Sequence, residues 1–268
     1  MLEGIVGFFV SGFFYSGIQW TSLLIGIGLA LAFGAVWFVS YWTPLLKKPW
    51  AWAVLIGSAV LTWSAASFIQ IPLQVLVGQV LGHFWSREVL MSWIFLAAIP
   101  QVLLSGLVQE GAKIVPVVIY WWRSGKNIAP KLGLAIGAVA GVGFGIFEAQ
   151  WAHNLVLASG WTWEAVQLGG VASLAPFWER FFVIAFHTAS CALLGWGLAK
   201  GWGWQFYLLA SFLHGFINYS AVLFQTGIFT SIYVEIFVAV WALLVTGAVL
   251  WLRWRRTAEF DESEVIVD

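Results

Sequence analysis

The run LGLAIGAVAGVGFGIFEAQWA, Leu132 to Ala152, decides how this chain is read. It is mostly apolar, it is about as long as a membrane-crossing helix requires (~20 residues), and its one charge is Glu148. Four glycines, Gly133, Gly137, Gly141 and Gly145, recur every four residues along it. On a helix that spacing makes one smooth ridge, which lets a neighbouring backbone approach closely. For the glycines themselves the reading is helix packing, and Gly195 and Gly197 read similarly in the fifth span. Their interest lies in what the close approach brings together.

The rest of the chain has the same character. Of 268 residues, 62% are hydrophobic and 9% charged, against roughly 25% charged in soluble domains. Twelve basic and twelve acidic residues cancel. So few charges cannot cover the surface of a soluble protein of this size. The composition excludes an ordinary cytosolic enzyme, a disordered chain and a nucleic-acid binder, which needs a basic face. The solvent is lipid, and twenty tryptophans fit the aromatic belts of a multi-span protein. The single cysteine, Cys191, excludes a disulfide scaffold and a cysteine zinc site, and reads as a small packing residue. The opening Met1-Leu2-Glu3-Gly4 has no basic region, so no cleaved signal peptide is expected.

The expected fold is all-α and polytopic, with seven spans: about Thr21–Trp42, Trp50–Phe68, Ala97–Trp122, Leu132–Ala152, Trp178–Leu198, Trp204–Phe224 and Phe229–Leu252. Ile5 to Tyr15 reads as interfacial. Ile71 to Ser86, with Pro72, Gln74, Gln79 and His83, reads as interfacial or re-entrant. Asn154 to Phe177 reads as a loop. Residues 1–253 form one transmembrane domain, with a motif-bearing core over about 97–225, and 254–268 form an acidic cytoplasmic tail. With the N-terminus outside, Lys47, Lys48, Arg123, Lys126, Lys131, Lys200, Arg253, Arg255 and Arg256 face the cytoplasm, and only Arg87 and Arg180 face out. That asymmetry predicts a multi-pass membrane protein, N-terminus out and C-terminus in; a bacterial or archaeal cell membrane is its expected location.

Ionisable groups at membrane depth are expensive and mark function by default. Glu110 and Lys113 lie in the third span, Glu148 in the fourth, His187 in the fifth, His214 and Asn218 in the sixth, and Glu235 in the seventh. Glu110 and Lys113 are three apart and share a helix face; His214 and Asn218 are four apart and do the same. At about 1.5 Å per residue, Glu148 lies roughly 6 Å below the outer end of its span, Asn218 about 10 Å, His187 about 14 Å, and His214 and Glu110 about 15–20 Å. Four helices thus bring polar groups into one slab between the midplane and the outer leaflet. Glu235, His83 and His153 read as bland: the first near the outer surface, the histidines at or beyond the outer interface.

Such a set supports several chemistries. A carboxylate can deprotonate water. Two imidazoles and a carboxylate, here Glu148, His187 and His214, can bind Zn²⁺ with one open position. Asn, His and Lys can instead hold an oxyanion. The same residues can relay protons in a transporter. Spacing alone leaves these open.

Gln109-Glu110-x-x-Lys113, Phe144-x-x-x-Glu148, His187 with its glycine-rich sequel, and His214-x-x-x-Asn218 resemble, in order, the four motifs of the PrsW-type intramembrane proteases. The likeness covers roughly residues 100 to 225. Each motif is weak alone, and four in order are fairly specific. The wider superfamily includes the CAAX proteases of prenylated proteins and a scaffold subunit of gamma-secretase. The resemblance implies a metal- or glutamate-dependent protease cutting single-span membrane proteins such as anti-sigma factors. It casts Glu110 as base, Lys113 as its charge partner, Glu148, His187 and His214 as the catalytic or zinc cluster, and Asn218 as a group that orients a histidine or binds the oxyanion. The departure is Gln109, which stands where that family has the first of two glutamates. Glutamine is no base. Either Glu110 takes the role, or the chain is an inactive relative, or an engineered exchange stands at 109. The rival readings are a non-catalytic scaffold and a proton-coupled transporter.

Overall fold

The computed structural model describes residues 19–41 and 44–255. The described chain is helical and holds no strand. Seven helical stretches are long and apolar enough to cross a membrane: Trp20–Val39, Pro49–Phe84, Ile94–Arg123, Pro130–Ala158, Trp163–Ala199, Gly203–Gln225 and Ser231–Trp254. The expected seven spans are all present. The stretch at residues 5–15 and the tail from 256 lie outside the described residues.

Two expectations need correction. The segment Ile71 to Ser86, expected as interfacial or re-entrant, continues the second span as one helical stretch to Phe84. Helix α1, Trp20–Val39, is followed by α2, Pro49–Ala65, which passes through a π-helical turn at Ala66–Gln70 directly into α3, Ile71–Phe84. Pro72 explains the turn. Its missing N–H and bulky ring break the regular ladder one turn back, and a π-bulge is a common way to absorb that break. The second correction concerns residues 154–177. After short helices α4, Arg87–Ser92, and α5, Ile94–Ala97, come α6, Ile99–Arg123, and α7, Pro130–Ala158. Helix α7 therefore continues well past Ala152. A short helix, α8, Trp163–Gly169, and a 3-10 turn, Gly170–Leu174, then lead into α9, Ala175–Ala199. Most of the expected loop is helix, because its glycines, Gly160, Gly169 and Gly170, are confined to the turn positions between helices. The chain closes with α10, Gly203–Asn218, α11, Ser220–Gln225, and α12, Ser231–Trp254.

Helices α7 and α9 form the centre. Their spans are 78% buried, against 17–39% for the others, so the outer helices meet lipid while these two meet protein. The glycine ridge explains how they pack. A Cβ added at Gly133 would collide with Gly195, at Gly137 with the Cys191 carbonyl, and at Gly141 with the His187 carbonyl and the Thr188 backbone. The close approach thus falls on the backbone that carries His187 and Cys191. Gly143 faces the other way, against Leu55 of α2. The Arg253 side chain donates to the Tyr41 carbonyl at 3.2 Å, which sets the end of α12 beside the connection carrying Lys47 and Lys48.

This packing gives a graded prediction. Gly141→Leu should be severely destabilising, beyond the 1–3 kcal/mol typical of overpacking, because the new side chain meets backbone rather than a movable side chain. Gly145→Leu should cost less, since its nearest neighbour is Ile184, with a first contact at 3.1 Å. Thermal midpoints in detergent check the order. Equal midpoints for the two variants would mean that the ridge does not set the helix spacing.

Candidate functional site

The expected polar slab exists, and its members touch. Lys113 of α6 donates to Glu110 Oε1 at 2.5 Å, one helical turn back on the same face. Its ammonium also lies 2.9 Å from His187 Nδ1 of α9. An ammonium can only donate, so Nδ1 is the acceptor and the ring proton is on Nε2. That nitrogen then donates to Glu148 Oε2 of α7 at 2.9 Å. From α10, His214 Nδ1 lies 2.7 Å from Glu110 Oε1. A buried carboxylate beside an ammonium accepts, so Nδ1 carries the proton of His214. Glu110 and Lys113 are both fully buried. Burial of this pair is tolerable because every charge is matched and hydrogen-bonded. Ser190 Oγ, 3.3 Å from Glu110 Oε2, and Cys191 Sγ, 3.9 Å from it, complete the carboxylate's surroundings.

Phe144, the aromatic of the Phe-x-x-x-Glu motif, packs edge-on against His187 with centroids 4.9 Å apart, and the Lys113 ammonium stands 5.3 Å from its ring. The His187 and His214 rings are 5.2 Å apart. Aromatic packing of this kind holds both imidazoles in one orientation.

A cavity of about 690 Å³ opens beside this cluster. Its wall includes Glu148, His187, His214 and Asn218, together with Ser105, Gln70, Gln74, Gln101, Glu179, Arg180 and Glu235. Glu110 and Lys113 are not on that wall; they stand behind the histidines. Glu110, expected as the base, is therefore shielded by His214. With Nδ1 committed to Glu110, the basic nitrogen left to His214 is Nε2; the hydrogen bond that His214 makes among the described residues is the one through Nδ1.

The remaining expectations divide. The expected zinc set of Glu148, His187 and His214 is not the set that converges: the ligand atoms within 4.8 Å of one another belong to Glu110, His187 and His214. The reason is the His187 ring, which puts Glu148 on its Nε2 side while the rest of the cluster lies on its Nδ1 side. Asn218 does not orient a histidine. Its Nδ2 donates to Ser105 Oγ at 2.8 Å, and it reaches the cavity one turn from His214. Gln109 turns away from the cluster and donates to Gln70 Oε1 at 3.0 Å, leaving its own Oε1 buried without a hydrogen-bond partner among the described residues. Glu235 is not a bland surface group, for it lines the cavity with Oε2 buried and without a hydrogen-bond partner among the described residues. His153, expected at or beyond the outer interface, is instead fully buried, with Nδ1 3.2 Å from the Gly26 carbonyl.

Several site residues escape a reading by depth. Arg180, counted as an outer-loop charge, stands 3.6 Å from Glu148 Oε2 and donates to Glu179 at 2.6 Å. Gln70 is presented by the π-turn, and Gln74 and Gln101 each donate to the other's carbonyl. The spacing Gln70–Gln74, four apart on a helix, was the one available signal. Comparison with models of known protein families, with curated proteins and with solved structures finds no match for this chain.

Proposed function

We propose that the cavity is the active site of an intramembrane peptidase that hydrolyses single-span membrane proteins. One observation carries the reading: a histidine on the cavity wall has its far nitrogen on a buried carboxylate, and its near nitrogen without a hydrogen-bond partner among the described residues. A carboxylate behind an imidazole fixes the tautomer and stabilises the imidazolium as it forms. In this reading, His214 Nε2 takes a proton from a water as the water oxygen attacks the substrate carbonyl. The carbonyl electrons move to oxygen, where the second amide hydrogen of Asn218 is available to the developing charge. Collapse of that intermediate breaks the C–N bond, and the imidazolium returns the proton to the departing amine. His187, held between Lys113 and Glu148, fixes the second carboxylate on the cavity wall. By the charge asymmetry of the sequence, the cavity faces the outer side.

Proton-coupled transport has one observation in its favour, the unbroken series His214, Glu110, Lys113, His187, Glu148, Arg180, Glu179. Among the described residues that series ends on the cavity wall, at Glu148, Arg180 and Glu179. Towards Arg123 the bundle is closed by Ile114, Val117, Ile136, Val139 and Leu194, all buried and apolar. One-sided access suits hydrolysis better than transfer across the membrane.

The placement of Gln109 makes the reading testable. If a carboxylate at 109 were the base, Gln109→Glu should raise hydrolysis by about 10²–10⁴. Because the side chain meets Gln70 and does not line the cavity, the expected result is a rate that stays level or falls. Cleavage of a single-span substrate by both proteins decides it, and a gain of that size would move the base from His214 to position 109.

A further inference from the structure

We infer that the Lys113 ammonium is the site's resident cation, standing where a metal ion would otherwise bind, and that the wild-type cluster therefore excludes divalent metals. This concerns occupancy alone and holds whatever reaction the cavity supports.

Glu110, His187 and His214 offer ligand atoms within 4.8 Å of one another, as a three-ligand zinc site requires. The ammonium of Lys113 lies among those atoms, 2.5 Å from Glu110 Oε1 and 2.9 Å from His187 Nδ1. A Zn²⁺ ion bonded to both at the usual 2.0–2.2 Å needs that same space. It also needs lone pairs that are already engaged. His187 Nδ1 accepts from Lys113 while its Nε2 serves Glu148. His214 Nδ1 and Glu110 Oε1 are 2.7 Å apart, a hydrogen-bond separation. Two ligands of one tetrahedral ion stand about 3.3 Å apart at those bond lengths. The donor set is chemically suited to zinc, and the lysine within it makes the fit fail. A dication would have to expel a buried ammonium and take over Glu110, the carboxylate that is paired with it.

The same geometry says what removes the exclusion. Lys113→Ala deletes the cation, leaves Glu110 uncompensated, and opens a space bounded by one carboxylate and two imidazoles. That is the donor count of a catalytic zinc site, and filling it restores the lost charge balance. Lys113→Arg keeps a cation in place and should remain closed to metals.

The test uses the full-length protein purified in detergent, equilibrated with Zn²⁺ or Co²⁺, passed through a desalting column and assayed for bound metal. Wild type and Lys113→Arg are expected to retain well under one ion per chain. Lys113→Ala should retain about one, with the visible absorption of tetrahedral Co²⁺, and the double variant Lys113→Ala/His214→Ala should lose it. A wild-type protein that holds one ion per chain, lost in His214→Ala, would overturn the inference. So would a folded Lys113→Ala protein that binds no more metal than wild type. If Lys113→Ala is not recovered folded, the wild-type measurement with its His214→Ala control decides alone.

Discussion

Glu110→Ala is expected to destabilise the folded protein by about 3–5 kcal/mol, the cost of leaving a buried charge without its partner. The Lys113 ammonium would keep only the neutral His187 Nδ1 as acceptor, with no route to water, because its side chain is fully buried. His214 would lose the acceptor of Nδ1 at the same time. Against a total stability of about 5–15 kcal/mol, such a loss removes much of the folded population. Glu110→Gln should be milder, since an amide oxygen still accepts from both neighbours. The pairing itself is isolated by Glu110→Ala combined with Lys113→Met. Removing both charges should recover most of the loss, as it does where a buried ion pair is replaced by apolar groups. Chemical-denaturation midpoints in mixed micelles give the three values. If the double variant is as unstable as the sum of the single ones, the pair is not the element that holds α6 to α9 and α10.

If the cavity is the proposed peptidase site, His214→Gln is expected to abolish hydrolysis while sparing the fold. A glutamine amide can still donate towards Glu110, so the buried carboxylate keeps a partner. It offers no basic nitrogen to the cavity. Loss of a general base costs about 10²–10⁴ in rate, and the effect should fall on kcat rather than KM, because substrate contacts along the cavity are unaltered. Glu110→Gln should also lower kcat, with His214 present but no longer backed by a charge. Retention of full activity in His214→Gln would transfer the role of base to Glu148, the carboxylate that shares the cavity wall.

The membrane fold was legible because span length and charge count are set by the bilayer alone. The cluster was legible in part for the same reason: few ionisable residues lie at depth, so Glu110, Lys113, His187 and His214 selected themselves, and four helices do bring them together. What failed were inferences that assumed helices end where apolar runs end. Helix α7 runs to Ala158 and α9 starts at Ala175. Measured from those ends, Glu148 lies about 15 Å and His187 about 18 Å along, which is why they meet. The zinc set failed because spacing along a helix fixes a side chain's face but not which ring nitrogen it presents. Arg180, Glu179 and Gln70 were missed because they sit near span ends or at a π-turn, where depth gives no signal. Gln109 entered the candidate site through its place in the resembled motif, but neighbouring helical positions point about 100° apart, and its side chain meets Gln70 instead.

The central claim is that water attacks a peptide bond in this cavity. Its most direct test places the purified protein in liposomes with a panel of single-span peptides in H₂¹⁸O and analyses the products by mass spectrometry. Two complementary fragments are predicted, the new carboxyl terminus carrying one solvent ¹⁸O, with neither fragment formed by His214→Gln. No cleavage of any peptide, together with a pH gradient that the same liposomes dissipate through Glu148 and His187, would contradict the peptidase reading and establish the transporter in its place.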